Sequence, residues 1–219
     1  MEKKYLFFDI DGTLTDRSTG EIVPSAREAL TRLEENGHFV AIATGRAHYK
    51  ARKFTDANGF KNMVCCGGNG CVIDNELVEN IPLDKDGCIK IIHQAEELGY
   101  GWCVALDDTK DVYMTDDKFL RQVGKRKEPT RYIIDDMLEV EKADAIYKVY
   151  VAIPKEDEEK LTTKELVGHL RFEPEYLMFQ PDNKRGGIIK MMEHLNADIK
   201  DVVVFGDDYN DMDMFCPEW

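Results

Sequence analysis

Two aspartates, Asp9 and Asp11, close the apolar run that opens YLFFDIDGTLTD. Two carboxylates this close at the end of a buried strand repel each other and resist desolvation, so partners are needed. HFVAIATGR supplies Thr44, Gly45 and Arg46, and DVVVFGDDYND supplies Gly206, Asp207, Asp208, Asn210 and Asp211. Lys184 stands just before RGGIIKMMEHLN. Clustered carboxylates at neutral pH call for a cation, and oxygen ligands suit a hard ion such as Mg2+, completed by water and substrate phosphate. A threonine hydroxyl, loop N–H groups and a lysine are phosphate ligands. One carboxylate can then attack phosphorus to give an aspartyl phosphate. A second can protonate the leaving oxygen and later activate water.

These residues must be brought to one rim, and the chain's periodicity shows how. YLFFDI, HFVAIATG and NMVCCGG read as strands without apolar and polar alternation. SAREALTRLEENG and RAHYKARKFTDANG read as the helices between them, the first opened by a Ser25–Glu28 capping box and ended by Gly37. Such strands, separated by helices, predict a doubly wound parallel α/β sheet covered on both faces. In an open α/β sheet, ligands bind outside the carboxyl ends of the strands, where Asp9, Thr44 and Asp207 fall.

After residue 70 the pattern changes. GCVIDNELVENIPL alternates and turns at Asp74 and Asn75, as a hairpin does. Residues 83–180 read as an inserted α+β unit, and residues 1–82 with 181–219 as the core. Within the insert we expect a helix at DGCIKIIHQAEELG, strands at GWCVALDD and DVYMTD, and a short helix at KFLRQVG. A strand at AIYKVYVAIP, a helix at EDEEKLTTKELVGHL and a strand at EYLMFQ complete it. RGGIIKMMEHLN, DVVVFGDD and NDMDMF then resume the first pattern as helix, strand and helix.

The 219 residues carry a formal charge of -14, which disfavours binding to nucleic acid or to anionic membranes. It leaves room for a small anionic substrate held at a locally positive or metal-bearing site. The expected setting is the cytoplasm: no signal peptide or membrane-spanning apolar stretch is read. The six cysteines form no C-x-x-C pair. The state expected is a monomer or homodimer.

DIDGTLTD, ATGR, NKRGG and GDDYND, in this order, resemble the four motifs of the haloacid dehalogenase superfamily of phosphatases. The insert between the second and third resembles the large α/β cap of the Cof-type sugar-phosphatase branch. D-x-D alone is common by chance; the four motifs in order carry the resemblance. It implies Asp9 as nucleophile and Asp11 as general acid/base, with its backbone carbonyl also on the metal. Gly12 and Thr13 would shape the turn. Thr44 and Gly45 would hold the phosphoryl group, and Arg46 is a candidate substrate contact. Lys184 would neutralise the phosphate and steady Asp9. Asp207 and Asp211 would complete the Mg2+ site begun by Asp9 and Asp11, and Asn210 would orient Lys184 or a phosphate oxygen. The implied activity is Mg2+-dependent hydrolysis of a small phosphorylated metabolite, a sugar phosphate first. A phosphomutase, or a non-catalytic phosphate- or Mg2+-binding regulator, is the alternative. The family's core continues past the fourth motif, whereas only MDMFCPEW follows Asp211. The sheet is therefore expected to end one strand early, with lower stability or dimerisation as the consequence.

Other readings stand beside these. Asp9 and Asp11 could be a solvated strand end, Thr44 the N-cap of the following helix, Arg46 a surface ion pair and Lys184 a solvated loop lysine. Asp208 and Asp213 read as solvated, and the histidines, His48 included, are assigned no catalytic part.

Overall fold

The structure, a computed structural model, describes residues 2–126 and 130–219. The chain divides into two compact units, one of Met1–Asn80 with Asp182–Trp219, the other of Ile81–Pro181.

The first unit begins with strand β1 (Tyr5–Phe8), helix α1 (Pro24–Glu35), strand β2 (Phe39–Ala43), helix α2 (His48–Asn58) and strand β3 (Met63–Cys65). The hairpin β4 (Gly70–Ile73) and β5 (Glu76–Asn80) follows. Its two turn residues, Asp74 and Asn75, both have left-handed backbones, with φ of 48° and 69°. That is the turn whose twist matches two antiparallel strands. Ser25 and Glu28 form no capping box. Pro24, with its φ preset for a helix, starts α1 two residues sooner than a Ser25 cap would, and the N-cap Val23 makes no side-chain bond. Nor is Thr44 an N-cap, because α2 starts after Ala47.

The second unit contains helix α3 (Lys85–Glu97), strands β6 (Trp102–Ala105) and β7 (Asp111–Met114), and helix α4 (Lys118–Val123). Strands β8 (Arg131–Ile134), β9 (Lys148–Val151), β10 (His169–Glu173) and β11 (Tyr176–Phe179) follow. They form one sheet, ordered β10-β11-β9-β6-β7-β8. Its pairings are antiparallel except for the parallel β7–β8 pair. Ile91 and Ile92 of α3 pack with Val104, Val149, Val151 and Phe179. Phe119 of α4 packs with Cys103, Tyr150 and Met178, which belong to the other face by strand alternation.

One expected helix is absent. Instead of a helix over residues 156–170, the chain forms two short 3-10 segments, Lys155–Lys160 and Lys164–Leu166, and then enters β10. The physical reason is tertiary. The Gln94 amide oxygen accepts from the N–H and hydroxyl of Thr163, at 2.9 and 2.8 Å, and its NH2 group donates to Thr162 Oγ1 at 2.9 Å. These bonds hold the backbone where a helix would have continued. The strands β8 and β10 were likewise not anticipated.

The chain returns to the first unit with helix α5 (Lys184–His194) and strand β12 (Val202–Phe205). Lys184 is the first residue of α5 rather than a loop residue before it; the N-cap is Asn183, whose side-chain oxygen accepts the Gly186 N–H at 2.9 Å. NDMDMF forms a 3-10 segment, Tyr209–Met214, capped by Phe215, instead of an α-helix. The sheet order is β12-β1-β2-β3-β4-β5, parallel from β12 to β3. Leu6 and Phe8 of β1 pack in the cluster with Leu30 and Ala51 of α1 and α2. Phe7 packs in the cluster with Ile188, Met191 and Met192 of α5. Strand alternation thus gives β1 two buried faces, and each fully buried large apolar side chain contributes about 1.5–3 kcal/mol. From β1 the chain winds to β2 on one side, while β12 joins it on the other. The direction of winding therefore changes between β1 and β12, where the crevice of such a sheet opens. Among the described residues no helix is long and apolar enough to cross a membrane.

Candidate active site

Asp9 follows β1 directly, and its N–H donates to Phe205 O of β12 at 2.9 Å, so both strand ends are tied together at this point. Lys184, 1% exposed, reaches the same place from α5. Its Nζ donates to Asp9 Oδ1 at 2.7 Å and to Asp211 Oδ1 at 2.5 Å. The other oxygen of Asp211 accepts the N–H groups of Asp207 and Asp208, at 3.0 and 3.2 Å. Asp211 is therefore fully buried with each oxygen bonded.

How α5 comes to aim Lys184 here is visible in the backbone. The 3-10 turn Cys66–Gly68 follows β3, and Gly67 O accepts the Asn183 N–H at 2.9 Å. Gly68 has φ of +109°, and a Cβ there would collide with Asn183 O. Only glycine lets the two backbones approach this closely.

The electrostatics follow from counting charges. Asp9 and Asp211 share one ammonium in a buried place. Burial raises the Asp9 carboxyl above the usual range and outweighs the pull of Lys184, with Asp211 adding to the rise. For Lys184, burial opposes the charge, but the two carboxylates outweigh it and raise its pKa. Asp207 is the third member. Oxygens of Asp9, Asp207 and Asp211 lie within 4.8 Å of one another, so the three could hold a metal ion. This all-oxygen set has a negative surplus over Lys184, which suits a hard cation. Asp207 is held by Thr13 Oγ1 at 2.9 Å and by Arg17 Nη2 at 2.5 Å. Partial burial works against its charge, but Arg17 and Thr13 outweigh that and keep its carboxyl below the usual range.

Asp11 stands apart from this trio. Its side chain is 61% exposed and accepts two bonds from Arg46, Nε at 3.0 Å and Nη2 at 2.6 Å. The Arg46 guanidinium lies 5.4 Å from the centre of the Phe54 ring. The Asp11 carboxylate is not among the metal-holding oxygens. Thr44 is buried at the end of β2, and its hydroxyl accepts the Arg46 N–H at 3.2 Å. Gly45 is half-buried between them.

The structure bears on three further sequence readings, of which that of Asp208 as a solvated residue holds. Asn210 is half-buried and makes no hydrogen bond to Lys184; Asp211 takes that place. Asp208 is exposed, but its side chain caps the segment that follows by accepting the Tyr209 N–H at 2.7 Å. Asp213 is not solvated: it is half-buried and accepts the Arg185 N–H at 2.8 Å. Sequence reasoning missed Arg17 altogether. It lies outside every motif, and its only signal was a basic residue near the first aspartates.

A rim of this kind, on a sheet that winds both ways from β1, defines the class: α/β enzymes that transfer phosphoryl groups. The profile of the haloacid dehalogenase-like hydrolases matches residues 6–216, and the chain belongs to that family. YkrA of Bacillus subtilis (strain 168) is 28% identical over 217 residues, 98% of this chain and 83% of that protein. The pyridoxal phosphate phosphatase YbhA of Escherichia coli (strain K12) is 27% identical over 236 residues, 98% of this chain and 85% of that one. Among solved structures, the subclass IIB sugar phosphatase BT4131 superposes with a TM-score of 0.73 at 22% identity, covering 97% of this chain and 84% of that one. The chain is a phosphatase of this family.

Proposed function

We propose that the chain hydrolyses a small phosphate monoester, a sugar phosphate foremost, through an aspartyl phosphate on Asp9 and with Mg2+ as cofactor. The observation that carries this reading is Lys184, buried and bonded to both Asp9 and Asp211. A lysine so placed aims Asp9 and offsets charge on an incoming phosphoryl group. An Asp9 oxygen attacks phosphorus, and the ester P–O bond breaks. Asp11, turned from Arg46 to the leaving oxygen, gives that oxygen its proton. Water then attacks the aspartyl phosphate, Asp11 takes the water's proton, and inorganic phosphate leaves while Asp9 is restored. Thr44 and the Gly45 N–H hold phosphoryl oxygens, and Arg46 and Asn210 contact the substrate. Asp9, Asp207 and the Asp11 backbone carbonyl would hold Mg2+, which neutralises charge on the transferring group. Asp211 supports that site through its bonds to Lys184 and the Asp207 N–H. The second unit is assigned as the substrate-selecting cap, and the setting as the cytoplasm.

The sugar-phosphate reading is supported by the name of BT4131, while YbhA is named for pyridoxal phosphate. The test is phosphate release from a panel of phosphomonoesters, with Mg2+ and with EDTA. Release that needs Mg2+ and disappears in Asp9→Asn is expected. No release from any ester, or undiminished turnover by Asp9→Asn, overturns the reading.

A further inference from the structure

The charge count at the site leaves one carboxylate without the buried lysine. Lys184 is committed to Asp9 and Asp211, at 2.7 and 2.5 Å. Asp207 instead has Arg17, whose Nη2 lies 2.5 Å from Asp207 Oδ2 and 3.5 Å from Asp208 Oδ2. The Arg17 side chain is 63% exposed, so packing contributes little to its position and the two carboxylates hold it. It is also delivered by an ordered turn. Asp16 Oδ1 accepts the N–H groups of Ser18 and Thr19, and the Gly20 N–H donates back to Asp16 O. Gly12, with φ of +104°, marks how closely the parts meet. A Cβ there would strike Asp207 Oδ2 and lie 2.6 Å from Arg17 Nε.

We propose that Arg17 is a resident counter-cation of Asp207, which a divalent cation displaces on binding, so that Arg17 sets the metal affinity of the site. The inference rests on the reading of Asp207 as a metal ligand and deepens it. A guanidinium does not lose its proton at any physiological pH, so it cannot make way by neutralising. It makes way by moving, and Asp208, already 3.5 Å from it, receives it. While Arg17 holds Asp207, the site keeps its third carboxylate compensated. An incoming cation must therefore replace an existing ion pair as well as shed water. Exposed ion pairs are weak, so the handover is reversible and its effect is about 1.5-fold to fivefold in affinity.

The test uses the full chain with Mn2+ or Mg2+ alone and no substrate. Free Mn2+, read by electron paramagnetic resonance, gives the dissociation constant for wild type, Arg17→Gln, Arg17→Lys and Asp207→Asn. Arg17→Gln is expected to bind Mn2+ about 1.5-fold to fivefold more tightly, Arg17→Lys to fall between it and wild type, and Asp207→Asn to lose the site. In parallel, the Arg17 Nε–H resonance of 15N-labelled protein is expected to shift in step with Mg2+ occupancy. Unchanged or weaker binding by Arg17→Gln, or a resonance that stays still at saturating Mg2+, overturns the proposal if Asp207→Asn still loses the site. Full Mn2+ binding by Asp207→Asn overturns the underlying assignment of the ligand instead.

Discussion

Lys184 is the residue on which the site balances. Replacing it by methionine leaves Asp9 and Asp211 buried with no shared ammonium. Removing one partner of a buried charge set costs about 3–5 kcal/mol. Lys184→Met is therefore expected to melt well below wild type and to lose phosphate release; equal melting curves would refute the charge count. Asp9→Asn moves the other way. It leaves one carboxylate and one ammonium, so without metal the variant is expected to melt at or above wild type while turnover disappears. A clear drop in its melting temperature would mean that Asp9 stabilises the fold. The candidate residues were legible because charged side chains at strand ends are conspicuous in an apolar context. An ion pair at Arg46 was among the readings, but its partner was not legible, and Arg17 was not legible at all. Their carboxylate partners lie 35 and 190 positions away in the chain, and only the folded rim brings them near.

At the scale of the element, α5 and the loops around Arg171 carry the tightest constraints. Gly68→Ala is expected to push Asn183 and the start of α5 away, lowering turnover by at least tenfold, with melting temperature tracking the strain. Turnover at the wild-type level would show that α5 tolerates the shift. In the second unit, Arg171 donates to Glu158 at 2.7 Å and to the carbonyls of Ile153, Glu173, Pro174 and Tyr176. Arg171→Met removes all of these and should cost about 2–4 kcal/mol in chemical denaturation. Partial burial works against Glu158's charge, but Arg171 and Lys164 outweigh it and hold its carboxyl below the usual glutamate range. The folded group titrates below the unfolded one, so its contribution is complete above the ordinary glutamate pKa and fades as pH falls through the lowered value. The acid limb of stability should flatten in Glu158→Gln; an unchanged limb would count against this. Most α-helices and central strands were readable, because apolar periodicity and Gly37 or Gly59 at helix ends are local signals. The stretch 156–170 was not. Its charged composition favours a helix, and its actual course is set by Gln94, some 70 residues earlier.

For the molecule as a whole, the two-unit division predicts that residues 81–181 expressed alone unfold in one cooperative transition, since the unit holds its own sheet and apolar cluster. A broad, non-cooperative melt would mean that it depends on the rest of the chain. The parallel pairing of β1 with β12 has a consequence in time. Tyr5 leaves the ribosome about 200 residues before its partner Val202. Until β12 arrives, one edge of β1 has no neighbour, and Asp9 lacks Asp211 beside it. Closing so long a loop is slow, whereas the intervening unit can complete its own pairings within about 100 residues. Synthesis should therefore finish the unit of residues 81–181 before β1 meets β12. A chain still lacking β12 would expose an apolar strand edge to other nascent chains, which makes chaperone dependence greatest until β12 is made.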